Sequence, residues 1–171
     1  GTTEDVKNII ENLPRKYSMI YIQVEGNEAS NLIKCPSSEK ELQDMAVELR
    51  DKIWGVAEKA GDYLFRQGRV IIGKIPCRWV TPITKKSHIK SIEHAKRCNT
   101  LISNLNKYMN DKGKQKPVEL SSIIYWNSKG LVHNFRELLE DDCHFNDKGL
   151  KKWKKAVTLA ILTGLGRSRK L

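Results

Sequence analysis

"RVIIGKI", residues 69–75, is a short, nearly continuous β-branched run that ends in polar residues on both sides. A run of that length, apolar at successive positions, reads as a strand buried on both faces. Upstream of it, Leu42, Met45, Ala46, Leu49, Ile53, Ala57, Ala60 and Leu64 recur at spacings of three and four, predicting an amphipathic helix after the start signal "PSSEKE" (36–41). Downstream, Ile89, Ile92, Ala95, Cys98, Leu101, Leu105 and Tyr108 repeat the pattern. Two further apolar runs flank these helices, "SMIYIQV" (18–24) and "SSIIYW" (121–126). The order is therefore strand, helix, strand, helix, strand. Strands joined by long helical crossovers must run parallel, and strands without polar alternation need cover on both faces. The expectation is a three-layer α/β/α sandwich with a parallel sheet. Val6, Ile9, Ile10 and Leu13 mark a short helix before it, and Leu150, Trp153, Ala156, Val157, Ala160 and Ile161 a final one.

A chain of 171 residues, 39% hydrophobic and 30% charged, fits a single domain spanning 1–171 and can bury a core. No run of about 18 apolar residues occurs, and "GTTEDVKNII" has neither the basic start nor the apolar middle of a signal peptide. Cys35, Cys77, Cys98 and Cys143 are scattered without CxxC spacing, which implies neither a disulfide framework nor a zinc site. Reduced thiols in an intracellular protein are the expectation. Cys98, on an apolar helical position, reads as core. Lys and Arg exceed Asp and Glu by 31 to 20, a formal charge of +11, concentrated in "KGKQK" (112–116), "KKWKK" (151–155) and "RSRK" (167–170). Such a surface attracts polyanions, either nucleic acid or anionic lipid, and it equally serves as a solvated face.

Ligands of open parallel sheets collect beyond the carboxyl ends of the strands. "EGNEASN" (25–31) and "PCRWVTP" (76–82) read as loops that leave strands at that edge, and "LEDDCHFND" (139–147) precedes the last helix. Asp141 three residues before His144 supplies a base and its orienting acid, and Asn27 offers an amide of the kind that stabilises an oxyanion. A surface histidine in an acidic capping loop, and ordinary Gly-Asn turn chemistry, account for the same residues. Trp79 is the candidate for substrate contact. His88 and His94 read as solvated, the histidines show no HxH or HExxH spacing, and neither a metal nor a cofactor is expected.

Taken together, "GTTED" (1–5), "VEGNEAS" (24–30) and "DDCHFNDKG" (141–149) on parallel strands resemble the SGNH/GDSL hydrolase family of serine esterases and lipases. The family's second block carries a Gly whose amide serves the oxyanion hole, and Gly1 matches it. Its third block is Gly-x-Asn-Asp; Asn27 matches the Asn, while Glu25 and Glu28 stand where the family has Gly and Asp. Its last block, Asp-x-x-His followed by Asn and Gly, is matched by Asp141, His144, Asn146 and Gly149. The resemblance implies a sheet of flavodoxin-like order, His144 as general base, Asp141 as its orienter, Asn27 and Gly1 as oxyanion donors, and an acyl ester as substrate.

The family's first block, Gly-Asp-Ser, has no counterpart here, and no GxSxG elbow replaces it. Neither Cys77 nor Cys143 is a convincing substitute, since neighbours in a turn, such as Cys143 and His144, point apart. The expectation is that the nucleophile and the first strands come from an upstream segment or from a partner chain completing the sheet. Glu25 in place of Gly opposes negative charge at the oxyanion position, so a second reading stays open. In it the domain is catalytically inactive and uses its basic surface to bind nucleic acid, anionic lipid or a protein partner.

Overall fold

The computed structural model describes residues 2–24, 26–33, 38–79, 89–116, 121–128, 135–141 and 144–166. Strands β1 (Tyr17–Ile22), β2 (Leu64–Gly73) and β3 (Ile123–Trp126) form a parallel sheet in the order β1-β2-β3. Ile20 pairs with Val70 and Ile22 with Ile72 on one side of β2, while Val70 pairs with Ile123 and Ile72 with Tyr125 on the other. The expected α/β architecture is the one observed.

The helices follow from the apolar periodicities and from polar start signals. Helix α1 (Thr3–Glu11) opens with a reciprocal cap, in which the Thr2 hydroxyl accepts from the Asp5 N–H and the Asp5 carboxylate accepts from the Thr2 N–H. The same device, built from Ser38 and Glu41, starts the long helix α3 (Glu39–Gly61), as "PSSEKE" predicts. Helix α4 (Ile92–Gly113) crosses from β2 to β3, and α5 (Asp147–Gly164) closes the described chain. Between β1 and α3 lies a short helix, α2 (Asn27–Leu32).

Alternate residues of the strands sort to opposite faces, as a pleated sheet requires. Val70, Ile72 and Ile123 pack with α1, α3 and α4 residues such as Ile10, Leu49, Ile53, Leu101 and Leu105 in the main core. Ile71 and Ile124 face Ala160 of α5, with Met19, Tyr21 and Trp126 packed around them. Both faces are covered, which explains why the strands lack polar alternation.

Four local readings change. Leu64 belongs to β2 rather than to the preceding helix: α3 ends at Gly61, and Leu64 pairs with Tyr17. Its burial against the helices mimics helical spacing. β2 also begins before residue 69, passing through an irregularity at Gln67, whose φ is 72°. Residues 27–32, expected as loop, are helical. His94 is not solvated but buried, its Nδ1 accepting from the Lys90 N–H at 3.0 Å and its Nε2 donating to the Ser30 carbonyl at 3.1 Å. Cys98 is fully buried, as expected of core.

Candidate active site

The exits of β1 and β2 meet at the carboxyl edge of the sheet. After β1 the chain reaches Gly26, which caps α2; its carbonyl accepts from both the Ser30 N–H and the Ser30 hydroxyl at 3.0 Å. Asn27 is the first residue of that helix. Next to it the Glu28 carboxylate turns toward the start of α1, accepting from the Thr3 N–H at 3.1 Å and from the Thr3 hydroxyl. The "TTED" (2–5) and "GNEA" (26–29) stretches, separate in sequence, are thereby neighbours. Gly1 and Glu25 lie outside the described residues.

The exit of β2 is held by two asparagines of α4. Asn106 accepts from the Ile75 N–H at 3.1 Å and donates to the Ile75 carbonyl at 2.8 Å. Two helical turns earlier, Asn99 does the same for Arg78, at 2.6 and 2.7 Å. Each side-chain amide replaces a missing strand neighbour, so a loop without a ladder partner still has its buried backbone groups paired. Arg78 is itself 7% exposed, and its Nη2 donates to the Asn27 side-chain oxygen. Arg78 is a buried cation that no sequence motif marks. An Arg inside the apolar "IPCRWV", and two Asn beside the apolar stripe of α4, were the available signals.

Trp79 follows, half-buried, with its indole N–H buried and lacking a hydrogen-bond partner among the described residues. Burial pushes the Cys77 thiol up from its ordinary pKa, with Lys74 opposing the shift, which keeps it protonated and weakly nucleophilic.

The third element is the turn before α5. The Asp141 carboxylate accepts from the His144 N–H at 2.7 Å and lies 2.6 Å from His144 Nδ1. A carboxylate only accepts, so in the neutral ring Nδ1 carries the proton and the basic lone pair lies on Nε2. The His144 side chain is 68% exposed. Its loop is stitched by the Glu140 N–H to the His144 carbonyl at 2.8 Å, by the Asn146 N–H to the Leu138 carbonyl at 2.9 Å, and by a Leu139/Phe145 bridge. Asn146 caps α5 through the Gly149 N–H at 3.0 Å and donates to the Glu137 and Leu139 carbonyls. At Gly149 a Cβ would meet the Leu138 carbonyl oxygen at 2.1 Å, so only glycine permits this close seat. A Lys148 hydrogen bond at 2.9 Å holds the Glu137 carboxyl below its ordinary pKa.

Helix α5 runs opposite to the strands: Trp153 in its second turn donates to Gln23 beyond β1 at 3.3 Å, while Gly164 at its far end lies against Met19 and Ile71. Its amino end, with Asp141 and His144 just before it, therefore sits at the carboxyl end of the sheet. No group of three metal-binding side chains occurs among the described residues, nor any helix long and apolar enough to cross a membrane.

The parallel α/β sheet thus carries an Asp-His pair ahead of its last helix and an Asn after its edge strand β1. The chain matches the GDSL-like lipase/acylhydrolase family over residues 2–157 and belongs to that family. Comparison with curated proteins and with solved structures returned no match.

Proposed function

We propose that this chain supplies the base and oxyanion side of a serine ester hydrolase. The reading rests on the Asp141–His144 contact at 2.6 Å. In this scheme a serine hydroxyl attacks the acyl carbonyl of an ester while His144 Nε2 takes its proton, and Asp141 keeps the ring in the required tautomer. The carbonyl oxygen gains the negative charge, which the Asn27 side-chain amide and the Gly1 backbone receive. His144 then gives its proton to the departing alkoxide, leaving an acyl-serine that water cleaves by the same steps. The serine comes from a Gly-Asp-Ser segment that these 171 residues do not contain.

The test is intact-mass measurement on the full-length polypeptide before and after treatment with a fluorophosphonate. One adduct that is lost in His144→Ala is the expected result. An adduct indifferent to that substitution, or none at all, overturns the reading.

The other reading, a binding module without turnover, is favoured by the exposed Lys151, Lys152, Lys154 and Lys155 on α5. It requires affinity for a polyanion that falls steeply with salt; affinity indifferent to salt removes its basis.

A further inference from the structure

Arg78 has no role in the scheme above, yet its guanidinium is buried at this edge. It is 7% exposed, and among the described residues its Nε is buried with no hydrogen-bond partner and no carboxylate pairs with it. A guanidinium kept from water without a counter-charge is strongly unfavourable on its own. The fold nevertheless secures it: Asn99 grips its backbone on both sides. Gly26 leaves room for it, since a Cβ there would lie 3.2 Å from Arg78 Nε and 3.0 Å from Ile102 Cδ1.

What that guanidinium touches is Asn27. An asparagine amide can turn over, exchanging its oxygen and nitrogen, and its local surroundings decide which way it sits. Arginine has donors only, so the atom facing Arg78 Nη2 must be the Asn27 oxygen. The Asn27 nitrogen is then directed to the other side. We propose that Arg78 is a positioning residue, which sets the Asn27 amide with its N–H donors toward the developing oxyanion and polarises it for that task. The inference rests on the reading of Asn27 as an oxyanion donor. Donation into the amide oxygen strengthens the N–H groups as donors, and the buried positive charge favours an anion nearby.

Two readouts on the full-length polypeptide test this. The first is the pair of side-chain amide resonances of Asn27 in the ¹⁵N-labelled protein, assigned by their loss in Asn27→Ala. The second is kcat and KM for a short-chain p-nitrophenyl ester. In Arg78→Gln the Asn27 resonances shift, and kcat falls about 10- to 100-fold with KM changed by less than about twofold. Arg78→Lys, which keeps a charged donor, recovers part of the loss. In an Asn27→Ala background, Arg78→Gln adds little. The proposal is overturned if Asn27 resonances stay in place in folded Arg78→Gln, or in Arg78→Lys should the former not fold. It is equally overturned if Arg78→Gln costs as much without Asn27 as with it. Should Asn27→Ala leave kcat intact, or should there be no turnover, the oxyanion reading of Asn27 fails separately. The resonances still decide whether Arg78 orients the amide.

Discussion

The turn that presents His144 and the exit of β2 that carries Arg78 serve one end of the sheet but are held in opposite ways. The His144 turn is exposed and secured by neighbours in sequence: Asp141 to His144, Glu140 to His144, Asn146 to Leu138 and to the first turn of α5. The Arg78 exit is buried and secured from a distance, by Asn99 and Asn106 of α4 and by contact with Gly26 and Asn27. A locally held turn can be edited with little cost to the fold, and its chemistry is separable from stability. A remotely held exit couples the two.

His144→Ala is the sharpest test of that separation. Under the proposed scheme ester hydrolysis should fall by about 10³-fold or more, because base and orienter would act as a unit. Stability should stay within about 0.5 kcal/mol in urea unfolding, since the side chain is exposed. A large loss of stability would show that the turn is more than a local assembly.

Asn106→Ala should reverse the pattern. It strands the Ile75 N–H and carbonyl and the Tyr125 hydroxyl, which donates to Asn106 at 2.8 Å. The expected cost is about 3 kcal/mol in the same measurement. Asn146→Ala, the matching amide on the exposed turn, removes a helix cap and should cost only about 1 kcal/mol while lowering turnover by loosening the Asp141–His144 turn. Equal costs for the two substitutions would break the comparison.

The same difference decides what could be read from sequence. The strands were legible because β-branched runs bounded by polar residues have few other uses, and the helices because a core-facing stripe imposes its period on composition. The Asp141–His144 pair was legible because its geometry spans three residues and closes on itself. The pairing of Arg78 with Asn27 was not, because it joins residues 51 positions apart whose meeting depends on the parallel register of β1 and β2. Helix α2 leaves no such mark, because "NEASNL" lacks an apolar period. Its order comes from Ser30 on Gly26 and from Thr3 on Glu28. His94 has a polar-looking position on the helical wheel, but α2 covers it and accepts its Nε2 hydrogen bond.

Gln23 joins the two regions and supplies the gentlest way to part them. Its side-chain oxygen accepts from the Tyr21 hydroxyl at 3.0 Å and from the Trp153 indole of α5, while its nitrogen donates to the Lys74 carbonyl at 3.1 Å at the exit of β2. Burial pushes the Tyr21 phenol up from 10.0 to about 12. Between those values the unfolded chain gives up the phenolic proton and the folded one keeps it, so the stability tied to this group is intact below pH 10 and is lost as pH rises toward about 12. The ionised oxygen would face the Gln23 acceptor, and the hydrogen bond could not persist. Unfolding in urea across this window should therefore show a decline that is shallower in Tyr21→Phe than in the parent. Only as pH reaches about 12, where the folded phenol itself ionises, should the Trp153 fluorescence of the parent shift as α5 loosens from Gln23. If Tyr21→Phe declines as steeply as the parent, the phenol is not what couples the two regions, and Gln23 binds α5 to the β2 exit independently of its charge state.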